Sequence, residues 1–250
     1  MNKIKPKMDA HKISKLTKAP KKRLGRPLKT VPPKRNVILY AALMAFAHHG
    51  VDRVSLRQIA EEANVNVSLL VHQFGSKMGL WKSVIDHAGG VIHDAALDIL
   101  DSDNQTTRDR EALLLRTIDH LVDTTCDVPE RGLLLIQDIG NQGERFEYVV
   151  EKLVKPTHDL VLPLIRRVVL REAPEVNSPV IDPEFLTFIL AGAIATAIAM
   201  RPLIARFTNA ADDDATFRLH LKAALRGTFF AQTETSRPPA RSRKTLQMES

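Results

Sequence analysis

Apolar residues recur at every third or fourth position from residue 35 to about residue 232, which is the spacing of one face of an α-helix. No segment shows sustained alternation of apolar and polar residues with turn pairs at its ends, as strands would. Helices are predicted over residues 35–48, 66–73, 107–126, 129–140, 144–172, 183–207 and 213–232, with two more beginning at residues 55 and 76. The sequence therefore predicts an all-α protein.

Start and stop signals divide the first part of this pattern into short helices. Ser55 stands three residues before Gln58, the spacing of a capping box, and so begins the second helix. A break at Asn64 and Val65 precedes the third helix, and Ser76 caps a longer fourth one. Three short helices with a tight turn between the second and third have the layout of a helix-turn-helix.

Prolines mark the boundaries of the later helices. Asp127 and Asp182 are each followed closely by a proline, and a cap with proline in the first turn is a good helix start. Pro156 and Pro163 lie inside the long pattern over residues 144–172. Because proline cannot donate the intrahelical hydrogen bond, we expect them to kink or divide that helix.

Charge is distributed unevenly along the chain, whose net charge is +7. Residues 1–35 contain 13 Lys and Arg and one Asp, whereas residues 36–88 contain four of each sign. Residues 89–234 contain 15 basic and 23 acidic side chains, and residues 235–250 contain four basic and one acidic. A Lys- and Pro-rich arm with almost no apolar pattern is expected to be disordered, and together with a neutral small domain it is typical of nucleic-acid binders.

Several classes of protein are disfavoured by what the sequence lacks. The single Cys126 and the absence of a Cys-x-x-Cys pattern argue against a disulfide or a structural metal. The longest apolar run, Phe185–Met200, is shorter than the roughly 20 residues of a membrane span, and no secretory signal follows the basic start. No Ser/His/Asp, Cys/His, phosphate-loop or metal motif is present. We therefore expect a cytoplasmic, nucleoid-associated protein with no enzymatic activity and no cofactor.

A set of residues between Arg35 and Leu80 has a joint spacing far more specific than that of a generic helix-turn-helix. Its members are Ile38, Ala41, Ala42, Phe46, Gly50, Ile59, Ala60, Phe74, Ser76, Lys77 and Leu80. This segment, about a fifth of the chain, resembles the DNA-binding domain of the TetR/AcrR family of repressors. The remainder is similar to the family only in length and helical content.

The resemblance implies an organisation and a set of DNA contacts. It implies a DNA-binding domain over residues 35–87 and a ligand-binding and dimerisation domain over 88–234. Composition predicts the disordered arm over residues 1–34 and the basic tail over 235–250 on either side of them. The resemblance also implies base contacts from Arg57, Val67 and Ser68, and phosphate contacts from Ser55, His72 and Lys77.

The third helix itself predicts a major-groove reader, with its first residues at base edges. We expect Leu70 and Phe74 to pack inward. The exposed positions are predicted to be Asn66, Val67, Ser68, Leu69 and His72. The Asn66 amide suits adenine, and Val67 or Leu69 suits a thymine methyl group.

Two positions depart from the family pattern, and the arm can compensate for them. Val71 stands where the family usually has a phosphate-binding Tyr, and Gln73 replaces a frequent His. Upstream, Arg23, Gly25 and Arg26 lie in a Gly-Arg-Pro segment that resembles an AT-hook. Glycine permits close backbone approach and arginine is attracted to the narrow minor groove of A·T-rich DNA.

The second half is predicted to pair with a second copy and to enclose a ligand. A smooth stripe of Ala191, Ala195 and Ala199 beside Gly192, and a second apolar face with Leu219, Ala223, Leu225 and Phe229, suit a homodimer interface. Polar residues among apolar helical positions are candidates for lining a cavity. They are His120, Gln137, Tyr148 and His158, with His87 and His93 also considered. An apolar or aromatic small molecule is the expected ligand.

These observations together predict a ligand-responsive homodimeric transcriptional regulator. A repressor released from a palindromic DNA operator by a small molecule is the favoured form, although activation is not distinguished from repression. The alternative is a DNA-architectural protein that binds A·T-rich double-stranded DNA mainly through its basic arm.

Overall fold

The computed structural model describes residues 33–102, 110–139, 143–169 and 182–235, and these are helical apart from short turns. The elements are α1 (Pro33–His49), α2 (Leu56–Glu62), α3 (Val67–Phe74), α4 (Lys77–Ser102), α5 (Arg110–Asp127), α6 (Glu130–Ile139), α7 (Glu144–Val149), a π turn (Val150–Val154), α8 (Lys155–Val169), α9 (Pro183–Ala199), α10 (Arg201–Ile204), a 3-10 turn (Asn209–Ala211) and α11 (Asp214–Thr235). The prediction of an all-α fold is confirmed. Arg23, Gly25 and Arg26 of the arm, and the tail from residue 236, lie outside the described residues.

The helix-turn-helix is built by the predicted local signals. The Ser55 hydroxyl accepts a hydrogen bond from the Gln58 backbone N–H at 3.2 Å, and the Gln58 Oε1 accepts one from the Ser55 N–H at 2.8 Å. This is the predicted capping box at the start of α2. Between α2 and α3, Asn64 adopts a φ of 52°, a left-handed conformation that asparagine tolerates better than most residues. The chain therefore turns sharply enough to bring α3 across α2.

The core of the first three helices is shared with the second half of the chain. Phe46, Ile59, Leu70 and Trp81 are fully buried in one apolar cluster. The same cluster contains residues from beyond α4, namely Val128, Leu134, Val149 and Leu153. Helix α4 runs without interruption from Lys77 to Ser102 and so connects the two parts. Any movement of α4 is therefore expected to reach α2 and α3.

A second apolar cluster lies between α5, α8, α9 and α11, where Leu114, Ile165 and Leu190 are buried. Ion pairs fasten α11 along α5: the Arg218 Nη2 lies 2.9 Å from the Asp127 Oδ1, and Lys222 Nζ lies 2.7 Å from an Asp123 carboxylate oxygen. Among the described residues, α9 included, no helix has both the length and the apolar character of a membrane span.

The outer faces of α9 and α11 are exposed and apolar. Phe185 is 65% exposed, and Leu219 is exposed as well. The predicted stripe of small residues is wrong at Ala195, which is buried because α6 packs closely on α9: a Cβ built on Gly132 would lie 3.7 Å from the Ala195 Cα. Leu225 is also buried, since it faces α5 in the second cluster, and the side chain of Phe229 lies outside the described residues.

The long helical pattern over residues 144–172 is divided by the π turn, which ends two residues before Pro156. An ordinary residue at 156 would donate to the Lys152 carbonyl, and proline cannot. That carbonyl packs against Gly89 of α4, where a Cβ would lie only 2.6 Å from the Lys152 oxygen. Pro163, by contrast, is contained within α8. Gly89 therefore permits the close contact between α4 and the π turn.

Replacement of Gly89 by alanine is expected to destabilise the protein, because the new Cβ meets rigid backbone. The overpacking should lower the free energy of unfolding by about 1–3 kcal/mol in urea titrations. Gly90 is the matched control, since a Cβ there meets nothing within 4 Å. Gly90→Ala should instead raise stability by about 0.5–1 kcal/mol through helix propensity. Equal effects at the two positions would contradict the packing described for Gly89.

Candidate nucleic-acid interface and ligand cavity

Helix α3 presents one face to the core and the other to solvent. Leu70 is fully buried, and Phe74 is half-buried beneath the Arg35 guanidinium, whose carbon lies 4.6 Å from the ring centroid. The predicted inward orientation of both residues is confirmed. Val67 and His72 are exposed on the opposite face. This exposed face has the position of a major-groove reader in a helix-turn-helix.

Leu69 is not an exposed position of α3, contrary to the prediction. It is half-buried and packs against the first core cluster together with Val65 and Leu56. Val65 precedes the first residue of α3, and the turn between α2 and α3 brings it and Leu69 against the same core. Val67 is thus better placed than Leu69 to meet a thymine methyl group.

Asn66 has a structural role at the start of α3 as well as a predicted contact with DNA. Its Oδ1 accepts hydrogen bonds from the Ser68 backbone N–H and from the Ser68 hydroxyl, each at 2.9 Å. A bidentate contact with adenine needs both the oxygen and the nitrogen of the amide. Such a contact would compete with the N-cap, so contact through the Nδ2 group alone suits this geometry better.

Three of the residues predicted to contact DNA, the phosphate contacts Ser55 and Lys77 and the base contact Arg57, differ in how firmly their side chains are held. Ser55 is fixed by the capping box, and its hydroxyl lies 3.0 Å from the Gln58 Oε1. Lys77 donates from Nζ to the Asp52 carbonyl at 3.1 Å, which ties the start of α4 to the loop between α1 and α2. Arg57 pairs with Glu61, but its side chain is 82% exposed, and exposed pairs of this kind are weak. Arg57 can therefore leave Glu61 for DNA at little cost.

The two departures from the family pattern fall on different faces of α3. Val71 is 48% exposed, so the position that usually carries a tyrosine does face solvent. The Gln73 Oε1 is buried and has no hydrogen-bond partner. A valine cannot donate to a phosphate, and α3 lacks that contact.

A hydrogen-bonded chain links the helix-turn-helix to α6 and α7. Arg145 binds Asp52 with two bonds, Nη1 to Oδ1 at 2.9 Å and Nη2 to Oδ2 at 3.2 Å. The Arg145 Nε also lies 3.1 Å from the Asp138 Oδ1. The Asp138 Oδ2 accepts from the Trp81 indole N–H at 3.0 Å. The loop before α2 and the start of α4 are therefore held by the same two residues of the second half.

The two carboxylates of this hydrogen-bonded chain have pKa values that are shifted in opposite directions. Burial raises the pKa of Asp138, whose residue is only 2% exposed, while the hydrogen bond from Trp81 and the charge of Arg145 oppose that rise. The pKa of the exposed Asp52 is lowered, chiefly by its hydrogen bond with Arg145. Of these two carboxylates, Asp138 therefore depends more on its hydrogen-bond and charge partners to remain ionised.

Two of the four predicted cavity residues instead belong to this connection. Gln137 donates from Nε2 to the Ala47 carbonyl at 2.7 Å, near the end of α1. Tyr148 donates to the Asp86 carboxylate at 2.8 Å and packs on the Trp81 ring with a centroid distance of 5.6 Å. Burial raises the pKa of Tyr148 to about 12, and the bond to Asp86 adds to it, so the hydroxyl remains a donor. Both residues are drawn to the helix-turn-helix by partners distant in sequence.

A cavity of about 140 Å³ lies between α4, α5, α6, the π turn, α8 and α9. Its walls are apolar side chains such as Ile92, Leu121, Leu135, Val161, Leu190 and Ile194. His158 lines it as predicted and stacks on Phe188 with a centroid distance of 5.0 Å. His120 does not line it, because α5 turns Ile118 and Leu121 toward the cavity instead. Within the described ranges, no cluster of three His, Cys, Asp or Glu residues could hold a metal ion.

Sequence reasoning missed Arg131, which also lines the cavity. A signal was available, since Arg131 and Asp138 stand seven residues apart among the apolar positions Leu134 and Leu135 of α6. Charged residues two helical turns apart on an apolar face are unusual and indicate buried partners or a ligand. Asp138 has such a partner in Arg145, whereas Arg131 faces the cavity.

The exposed helix α3 of a helix-turn-helix, joined through the continuous helix α4 to a body with an apolar cavity, is the arrangement expected of a DNA-binding regulator. Residues 38–84 match the family model described as bacterial regulatory proteins, tetR family. The chain is also 42% identical over 67 residues to the HTH-type transcriptional regulatory protein RaaS of Mycobacterium tuberculosis. That alignment covers 27% of the chain and 31% of the relative. Residues 38–84 therefore form a DNA-binding domain of the type found in the tetR family of bacterial regulatory proteins.

Similarity to solved structures extends over most of the fold. A putative fatty acid metabolism regulator of Clostridium perfringens matches with a TM-score of 0.59 at 16% identity, covering 75% of the chain and 97% of that protein. The fatty acid degradation regulator FadR of Bacillus halodurans matches with a TM-score of 0.57 at 16% identity, covering 79% of the chain and 99% of that protein. At this identity the likeness concerns the fold alone, and it extends to the helical second half.

Proposed function

We propose that the chain is a homodimeric transcriptional repressor that binds a palindromic operator and releases it when an apolar or aromatic small molecule occupies the cavity. The observation that carries the proposal is that one helix, α6, both lines the cavity and binds the helix-turn-helix. Arg131, Gly132 and Leu135 line the cavity, while Gln137 and Asp138 bind α1 and α4.

DNA recognition rests on α3 of each protomer. Val67, Ser68 and the Nδ2 group of Asn66 contact bases, with Arg57 reaching a base or a phosphate. Ser55, His72 and Lys77 bind the backbone on either side. Exposure of α3 and the short, fixed connection from α2 support this assignment, because a reading helix needs both.

Dimerisation uses the outer faces of α9 and α11. A twofold arrangement matches a palindromic operator, since each protomer then reads one half-site. The exposed apolar residues on these helices form a patch that a second copy would cover. They are Phe185, Phe188, Ile189 and Leu219, with Met200 and Leu203 exposed just beyond the end of α9. Gly192 lies among them, exposed and with open space where a side chain would be.

Ligand release follows from the position of α6. A molecule between α6 and α9 changes the spacing of two helices that pack closely at Gly132 and Ala195. Because α6 holds the end of α1 and the indole of Trp81, its movement shifts α4 and the two reading helices of the dimer. The ligand therefore favours a state in which the helices no longer fit successive major grooves, and the coupling is reciprocal.

The operator is tested by selecting bound sequences from random duplex DNA with the full-length protein. A consensus with twofold symmetry, bound by one or more dimers, is the expected result. A consensus without symmetry, or enrichment only for A·T content, contradicts the proposal and favours the architectural alternative.

The dimer interface is tested at Gly192. Gly192→Arg is expected to produce monomers in sedimentation velocity and to weaken operator binding at least tenfold, because a large charged side chain stands in the middle of the interface. Gly90→Arg is the matched control, since Gly90 is also an exposed helical glycine with nothing within 4 Å of an added Cβ. If both variants remain dimeric, α9 is not the interface.

A further inference from the structure

Among the described residues that line the cavity, Arg131 carries a permanent charge. Arg131 is 5% exposed and lies in the first turn of α6. Its Nη1 makes a long hydrogen bond of 3.3 Å to the Thr124 carbonyl, and its Nε is buried without a hydrogen-bond partner. A buried guanidinium that is only partly satisfied is costly, so its presence in a ligand-sized cavity requires an explanation.

In the described part of the chain, the carboxylates next to Arg131 in sequence contact other side chains. Asp127 pairs with Arg218 at 2.9 Å, and the Glu130 Oε1 lies 3.7 Å from the His48 Nε2. Burial lowers the pKa of Arg131 to about 10, although the charges of Asp127 and Glu130 oppose this effect. Arg131 is therefore still protonated at neutral pH and retains a positive charge in an apolar wall.

The other polar side chains of the cavity wall have local partners for their hydroxyl groups. Thr125, Thr157 and Thr187 donate to backbone carbonyls one turn earlier, at 2.8, 3.2 and 2.7 Å. The Nδ1 of His158 lies 3.1 Å from the Asp159 carboxylate, and its Nε2 is buried without a partner. When Nδ1 carries the proton, Nε2 is an acceptor and offers nothing to an anion. Among the described residues of the wall, it is therefore Arg131 that has a charged N–H group free to donate to a ligand.

We propose, building on the proposed function, that the ligand is an amphipathic carboxylate whose apolar body fills the cavity and whose carboxylate binds the Arg131 guanidinium. A cavity of 140 Å³ is close in size to one of about 150 Å³ known to hold a benzene molecule, so the body is on the order of six to eight carbon atoms. The position of Arg131 in the first turn of α6 favours an anion further, because a helix N-terminus carries partial positive charge.

Binding there acts on the connection to the helix-turn-helix. Arg131 and Asp138 are two turns apart on α6, which places the carboxylate site and the Trp81–Arg145 contacts at opposite ends of one short helix. An anion that draws Arg131 toward the cavity centre therefore displaces the helix that holds α1 and α4.

The test compares octanoate with 1-octanol, which share an apolar chain and differ in charge. Calorimetry on the full-length dimer is expected to give at least tenfold tighter binding of octanoate, since a hydrogen-bonded charge pair contributes about ten- to hundredfold. Release of operator DNA, followed by fluorescence anisotropy, should show the same order of potency. Arg131→Met should bring octanoate to the affinity of octanol, and Arg131→Lys should retain part of the preference.

The control variant is Arg166→Met, which removes an exposed arginine of α8 that pairs with Glu184 outside the cavity. It should leave the preference for octanoate unchanged. Arg131→Met should melt no lower than the wild type, because it removes a partly satisfied buried charge. Equal binding of octanol and octanoate by the wild type, no binding of either, or a preference that survives Arg131→Met would each overturn the carboxylate assignment. The operator selection above is independent of these probes, and its failure alone would overturn the proposed function.

Discussion

Deletion of residues 1–34 is expected to weaken operator binding about a hundredfold near physiological salt while leaving the preferred sequence unchanged. The deleted segment carries 12 Lys and Arg against one Asp, and each phosphate that it neutralises adds about 0.9 to the slope of log affinity against log salt. Helix α3 has Val71 where a tyrosine usually binds phosphate, so the remaining domain holds the backbone less firmly.

The measurement is a salt titration of anisotropy on the operator and on a scrambled duplex of the same base composition. The truncated protein should show a shallower salt slope and an unchanged ratio between the two duplexes. A full-length double variant, Arg23→Ala with Arg26→Ala, separates the AT-hook-like core from the remaining lysines. If the truncated protein no longer distinguishes operator from scrambled DNA, α3 is not the reader and the architectural alternative is correct.

Asp138→Ala is expected to lower the free energy of unfolding by about 3–5 kcal/mol, the range found when one partner of a buried ion pair is removed. The substitution leaves the Trp81 indole N–H without its acceptor and removes the buried partner of Arg145. Chemical denaturation monitored by Trp81 fluorescence measures the loss directly, because Trp81 is the single tryptophan of the chain.

Two further variants test whether the lost stability comes from the buried contacts of Asp138 and whether those contacts transmit ligand binding. Asp52→Ala removes the exposed partner of the same arginine and should cost under about 1 kcal/mol. Asp138→Asn keeps an acceptor for Trp81 and should fold, but it removes the negative charge that pairs with Arg145. Ligand should then release operator from Asp138→Asn less completely than from the wild type. A cost for Asp52→Ala equal to that of Asp138→Ala, or undiminished release from Asp138→Asn, would contradict the proposed coupling through α6.

The helix-turn-helix is the part of the fold for which sequence reasoning was most accurate. The capping box at Ser55 and Gln58, the break at Asn64 and the inward orientation of Leu70 and Phe74 were all predicted. The cap and the break depend on residues a few positions apart, and the inward face of α3 follows from the helical period. The prediction that Leu69 is exposed was wrong, because Leu69 packs together with Val65 against the core.

The cavity was predicted less well, and the reason lies in long-range packing. Of the four candidates, His158 lines the cavity, while Gln137 and Tyr148 bind the helix-turn-helix. A polar residue on an apolar face can satisfy either role, and the sequence contains no information about which helix will lie opposite. Arg131 was missed although its position among apolar residues of α6 was a signal, because the sequence does not show that this side of α6 borders a cavity.

The sequence by itself determined the all-α fold, the helix limits near their caps and which face of α3 is exposed. These follow from hydrogen bonds and helical periodicity within one or two turns. Only the tertiary structure decided that α6 joins the cavity to the helix-turn-helix. The bonds that do so connect residues 57 positions apart for Trp81 and Asp138, 90 for Ala47 and Gln137, and 93 for Asp52 and Arg145. Such contacts exist only once distant helices have packed, because their formation depends on the arrangement of the whole core.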